Sequence, residues 1–145
     1  MTNYELVLDD IIEKLEAAVM GCASFDADSV HFDYVRTEDF ETSDPICLLS
    51  LRSDSVEAIG AKETQHTLTF GMRIKHIGTG TKANLSEIIS YVSEIISKVE
   101  EDRTLGSDYI ENTEVSGVEY SQEAPPNFVI YHAGLTIEVL AIRNA

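Results

Sequence analysis

Gly78-x-Gly80-x-x-Ala83 is the spacing in this chain that most closely matches a functional motif. Glycines in that pattern let a backbone approach a pyrophosphate at a helix N-terminus, as in the loose dinucleotide fingerprint. Three features oppose a nucleotide role. The strand before the motif alternates apolar and polar residues, whereas a central parallel strand is usually apolar on both faces. The acids at the expected distance, Glu100 to Asp102, fall at the end of a helix and not at the end of a strand. The following segments do not repeat strand and helix. The motif therefore reads as a plain strand-to-helix turn. The histidines, His31, His66, His76 and His132, are scattered over different strands. A metal site would need them to converge in space, and singly each reads as a hydrogen-bonded strand residue. Acidic pairs such as Asp9-Asp10 and Glu100-Glu101-Asp102 suit acid–base chemistry only where burial separates their pKa values. Here they lie on helix faces and polar connections, and read as solvated charge. Lys82 lacks the glycine spacing of a phosphate-binding loop, and no nucleophile elbow, His-Glu-x-x-His or EF-hand loop occurs. The expectation is a protein with no catalytic residues, no metal ligands and no cofactor, which works through its surfaces.

Charge narrows the partners. The chain of 145 residues carries 26 acidic and 10 basic side chains, a net charge of −16. Phosphate binding needs Lys and Arg, so this balance repels nucleic acid and anionic membrane surfaces. Its length favours one domain, residues 1–145, able to bury a core without disulfides or metals. No apolar run approaches a membrane span. Glu5, Asp9 and Asp10 without an early Lys or Arg oppose a secretory leader, which predicts a cytoplasmic chain. Cys22 and Cys47 then read as buried thiols.

The elements that would position these residues follow from periodicity. Thr2-x-x-Glu5 resembles a capping box, and Tyr4, Leu8, Ile11, Leu15 and Val19 recur at helical spacing, so 3–20 is an amphipathic helix stopped by Gly21. Val30–Val35 and Ile46–Leu51 are strand candidates, separated by an acidic connection. Residues 52–64 are polar and read as a loop or the tip of a long hairpin, protruding from the domain. From Gln65 to Ile77, Leu68, Phe70, Met72 and Ile74 alternate with Thr67, Thr69, Arg73 and Lys75, the pattern of a half-buried strand. Asn84 is positioned to cap a second helix, with Glu87 three residues on. Leu85, Ile88, Ile89, Val92, Ile95, Ile96 and Val99 give that helix one continuous apolar stripe to lay on the sheet. Val115, Val118 and Tyr120 suggest a further strand, and residues 127–142 another, with Gly134 as a possible bulge. The fold class is α+β: a mixed or antiparallel β-sheet packed by two main amphipathic helices.

One region carries a resemblance. A strongly apolar helix leads into Asp102-Arg103-Thr104-Leu105-Gly106, followed by an acidic connection, a Val-containing strand and a terminal strand, Ala133-Gly134-Leu135-Thr136-Ile137-Glu138-Val139-Leu140. This resembles the tail terminator (tail completion) proteins of long-tailed bacteriophages, in which a helix ends in an Asp-x-Thr-Leu-Gly type corner before two strands. Asp102, Thr104, Leu105 and Gly106 carry the match. The opening helix and the basic-faced strand before the second helix fit as well. The resemblance implies a homo-oligomeric ring, usually a hexamer, on the head-proximal end of the tail in the virion, assembled in the host cytoplasm. Its partners would be further copies of itself, the tail tube protein and a head-completion or connector protein. DNA would pass transiently through the lumen without specific binding, and no membrane is involved. The family has no catalytic residues to carry over.

Two surfaces follow as expectations. Acids in the connection, Asp26, Asp28, Asp33, Glu38, Asp39, Glu41 and Asp44, would line the DNA path and repel phosphate, as would acids between Glu100 and Glu123. Asp54, Ser55, Val56, Glu57, Ile59 and Lys62 would contact a neighbouring subunit or the tube. The rival readings are another ring component, such as a head-closure or tail tube protein, a small ligand-binding or enzymatic domain using the Gly78 turn or a histidine cluster, and an acidic decoy that mimics DNA.

Overall fold

The computed structural model describes residues 3–26, 29–32 and 45–144. In chain order its elements are α1 (Tyr4–Met20), β1 (Val30–Phe32), β2 (Ile46–Ala58), β3 (Glu63–Gly78), α2 (Lys82–Glu101), β4 (Ile110–Glu123) and β5 (Val129–Asn144). The strands form one sheet in the order β1-β2-β3-β5-β4, parallel between β1 and β2 and antiparallel elsewhere. The α+β expectation holds, with a mixed sheet and two amphipathic helices.

The alternation in β3 and β5 divides the sheet into two faces. Leu68, Phe70, Met72 and Ile74 meet Leu135, Ile137, Val139 and Ala141 on one face, all nearly inaccessible to solvent. Onto that face α1 lays Val7, Ile11, Leu15 and Val19, and α2 lays Ile88, Val92, Ile95 and Val99. Both helices and all five strands contribute to one apolar cluster. Each fully buried aliphatic side chain adds roughly 1.5–3 kcal/mol. Cys22 and Cys47 sit in this cluster as free thiols, as expected, and burial raises both thiol pKa values. Among the described residues no helix or strand packs on the opposite face, although Ile46 and Leu48, which point to it from β2, are buried. No described helix is long and apolar enough to cross a membrane.

Several details depart from the sequence reading. The cap of α1 is Asn3, whose side chain accepts from the Leu6 amide at 2.9 Å; Thr2, read as the head of a capping box, lies outside the described residues. The cap of α2 is Thr81, not Asn84; Asn84 is the third helical residue and closes a reciprocal box with Thr81. The stripe on α2 is narrower than its composition suggests. Leu85 and Ile89 are 42% and 47% exposed, because they stand on the shoulder of the buried ridge and no described residue covers that shoulder. Pairing runs unbroken through Gly134, opposite both Arg73 and Glu119. The bulges lie instead at Arg52, at Ser116 and at Glu111. The second explains the odd spacing of β4, because one extra residue puts Val115 and Val118 on the same face despite their separation of three. Finally, β2 runs to Ala58, well beyond Leu51. Its distal half is polar because β1 pairs only with Cys47–Leu49, leaving the rest an exposed edge with no apolar face to advertise it.

Candidate functional site

The Gly78 turn is filled by the chain's own groups. Asn84 Oδ1 accepts from the Thr79 amide at 2.9 Å, the Thr81 hydroxyl at 3.0 Å and the Thr79 hydroxyl at 3.2 Å. A Cβ on Gly78 would press 2.6 Å from the Asn84 side chain, and Gly80 takes a left-handed φ of 88°. Both glycines thus serve the cap. Neighbouring β3 is antiparallel to both of its partners, so the surroundings of a dinucleotide fold are absent at this turn.

The histidines do not converge. His66 and His76 lie on the helix-covered face of β3, His132 lies on the opposite face of β5, and His31 is on β1. No group of three metal-binding side chains forms among the described residues. His76 Nε2 pairs with Glu87 Oε2 at 2.7 Å, which ties the start of α2 to the sheet. His66 sits in a network drawn from four elements. Its Nδ1 lies 2.9 Å from Asp54 Oδ2, which also accepts from the Tyr4 hydroxyl at 2.8 Å. Arg143 Nε donates to His66 Nε2 at 3.2 Å. An aspartate–histidine pair is the orienting half of a nucleophilic triad. Here Nε2 faces a guanidinium where a triad would put a hydroxyl or thiol. The arrangement locks α1, the β2–β3 hairpin and the end of β5 together. The Asp54 carboxylate raises the Tyr4 phenol pKa, first by accepting its hydrogen bond and then with burial. Sequence reading missed this network because its members are 12, 50 and 77 residues apart.

The predicted contact segment is therefore a hairpin whose stem is fastened from within. Residues 59–62 join its strands, and Ile59 donates to the Glu63 carbonyl at 3.1 Å. Asp54 points into the His66 network. Ser55, Val56, Glu57, Ile59 and Lys62 are exposed, Val56 the most among the apolar residues at 57%. The stem is three-stranded almost to its tip, because β5 follows β3 as far as the Glu63–Asn144 pair.

The Asp102–Gly106 corner is a closed hydrogen-bonded turn. Asp102 ends α2, and its Oδ1 accepts from the Thr104 hydroxyl at 2.7 Å and the Thr104 amide at 3.0 Å. These bonds hold the Asp102 carboxyl below its ordinary pKa. Thr104 Oγ1 then accepts from the Gly106 amide at 3.3 Å. Leu105 and Gly106 take φ of 52° and 76°. A leucine is costly in that region, and it is held there with its side chain packed against the core. The next residue, Ser107, donates to Asp10 and so fixes the corner to α1.

Of the predicted lumen acids, Asp26 is exposed just after α1, where it accepts from the Ser29 hydroxyl at 3.0 Å. Asp28, Asp33, Glu38, Asp39, Glu41 and Asp44 lie outside the described residues. The acids of β4 fall beside the open face of the sheet. Glu114 stands directly opposite Glu138, an arrangement that destabilises neighbouring strands.

That open face is divided by charge. Arg73 and Lys75 project from β3, and Arg52 reaches over Gly71 from the bulge in β2; a Cβ on Gly71 would collide with its guanidinium. Between Leu48, Arg52, Arg73 and Gly134 lies a shallow depression of about 380 Å³. His132 lies beside it on β5; its Nε2 lies 3.4 Å from Glu123 Oε1, and its Nδ1 is buried without a hydrogen-bond partner among the described residues. Burial lowers the His132 pKa, and Arg73 and Lys75 lower it further against the opposing pull of Glu123. Sequence reading had Arg73 and Lys75 on the polar side of a strand, but not the convergence with Arg52 and His132. No family model and no curated protein matches the chain.

Proposed function

We propose that this chain is the subunit of a bacteriophage tail terminator. Copies form a ring, usually a hexamer in proteins of that kind, which caps the tail tube, stops its polymerisation and presents the surface that docks to the head. The ring sits at the head-proximal end of the tail, bound to the tube protein and a head-completion or connector protein. DNA passes through its lumen, and the role is structural and non-enzymatic. The observation that carries this reading is the corner from Asp102 to Gly106. It has the Asp-x-Thr-Leu-Gly type order at a helix end, and two antiparallel strands follow it. The surrounding α+β architecture and the acidity of the chain favour the same reading, since a wall that transmits DNA must not hold phosphate.

The test is electron microscopy of tail tubes polymerised with and without the purified protein. A terminator leaves a single ring on the tube end. A tube protein, the nearest rival, adds many rings.

A further inference from the structure

The cations of this chain are unevenly engaged. Lys14 pairs with Asp10, Lys98 with Glu101, Arg103 donates to the Thr113 carbonyl and Arg143 to His66. Arg52, Lys62, Arg73, Lys75 and Lys82 have no ion pair among the described residues, although acids outnumber bases across the chain by 26 to 10. Arg52, Arg73 and Lys75 cluster on the β2–β3 half of the sheet face opposite the helices, where Ile46 and Leu48 are already buried. The β4–β5 half of the same face carries Glu114, Glu119, Glu123 and Glu138.

The opposite side of the molecule carries the complement. On α1 the buried ridge faces the sheet, and Glu5, Asp9 and Glu13 stand exposed along the other side at intervals of four residues. Among the described residues none of the three has an ion pair. Leu6, 56% exposed, adds apolar surface at the start of the helix. Successive acids are about 6 Å apart along the helix axis, from a rise of about 1.5 Å per residue. Arg73 and Lys75, two residues apart on a strand, are spaced by about 6.8 Å. The two ladders are opposite in sign and similar in pitch.

From this complementarity we infer that the outer face of α1 docks on the Arg52–Arg73–Lys75 half of the sheet of a second copy of this chain. The inference deepens the ring reading and rests on it for closure. A contact between two different surfaces of one chain is heterologous, and such contacts make rings when the rotation closes. The acidic β4–β5 half sets the position, because it repels a helix laid one or two strands too far.

A charge-swap experiment tests the interface on the full chain. Two variants are made: Glu5→Lys with Asp9→Lys and Glu13→Lys, and Arg73→Glu with Lys75→Glu. Both change exposed or half-exposed residues, and circular dichroism establishes that each is folded. Sedimentation at low salt is expected to show wild-type oligomers and an association constant reduced about 100-fold or more in each variant alone, since like charges are brought face to face. An equimolar mixture is expected to recover the wild-type assembly, because each swapped face then meets its opposite. The inference is overturned if the wild type stays monomeric at low salt, if either variant alone assembles like the wild type, or if the mixture fails to recover. Variants that cap tubes normally without associating this way would overturn the interface and leave the terminator reading standing. Wild-type association by this interface without tube capping would do the reverse.

Discussion

At the scale of the residue, Asp54 is the clearest case of a surface-looking side chain with internal work. Its sequence surroundings, Ser53 and Ser55, are those of a solvated loop. In the fold it accepts from Tyr4 and His66 with one oxygen, while Oδ1 is buried without a hydrogen-bond partner among the described residues. Hydrogen bonds to a charged group contribute about 1.5–3 kcal/mol, and orphaned buried donors cost a similar amount. Asp54→Ala is therefore expected to lower stability by about 3 kcal/mol. Tyr4→Phe, at a more exposed donor, should cost about 1 kcal/mol. Urea unfolding followed by circular dichroism gives both numbers. Equal losses would show that the network is not centred on the carboxylate.

His132 offers a pH test at the same scale. Its folded pKa lies below the ordinary value of 6.5 because the ring is buried beside Arg73 and Lys75. The folded state thus holds the neutral form more firmly than the unfolded chain does. The stability this contributes is present above pH 6.5 and is lost as pH falls through the lowered folded value. His132→Gln should remove that part of the acid slope. A wild-type curve that parallels the variant from neutrality downward would contradict the assigned environment.

At the scale of the element, the turn before α2 shows how a motif can serve capping alone. Gly78 is required because Asn84 fills the space a Cβ would take. Removing a cap residue costs typically about 1 kcal/mol. Asn84→Ala should cost about that much, and so should Gly78→Ala in the wild-type background. In the Asn84→Ala background Gly78→Ala should be nearly neutral, a coupling that a double-mutant cycle from denaturant melts measures directly. Additive losses would mean that Gly78 has another role.

Elements with a buried face were legible in the sequence. The ridges of α1 and α2 and the alternation of β3 and β5 record one apolar side each, and the structure follows them closely. What escaped has three separate causes. The outer half of β2 is an exposed edge, a bulge in β4 breaks its period, and the shoulder of α2 at Leu85 and Ile89 is apolar but uncovered. The caps were misplaced by one residue at α1 and by three at α2, because Asn3 and Thr81 bind by local backbone geometry that Thr2 and Asn84 imitate in composition. The candidate surface was less legible. Arg73 and Lys75 were visible as the basic face of a strand, but Arg52 joins them only through register across β2 and β3.

At the scale of the whole molecule, acidity is distributed by surface. The helix layer presents Glu5, Asp9 and Glu13, one half of the sheet presents Arg52, Arg73 and Lys75, and the other half presents Glu114, Glu119, Glu123 and Glu138. Under the proposed assembly, unlike faces of neighbouring copies attract one another and the excess charge repels phosphate. In the proposed ring the first property builds the assembly and the second leaves the lumen passable to DNA.

The measurement that tests this account most directly is the length and end structure of tail tubes assembled with the purified chain, seen by electron microscopy. A terminator predicts tubes that stop growing and carry one ring of this protein at the end. Tubes that elongate without an added ring, or a chain that stacks into long tubes of its own, would contradict it.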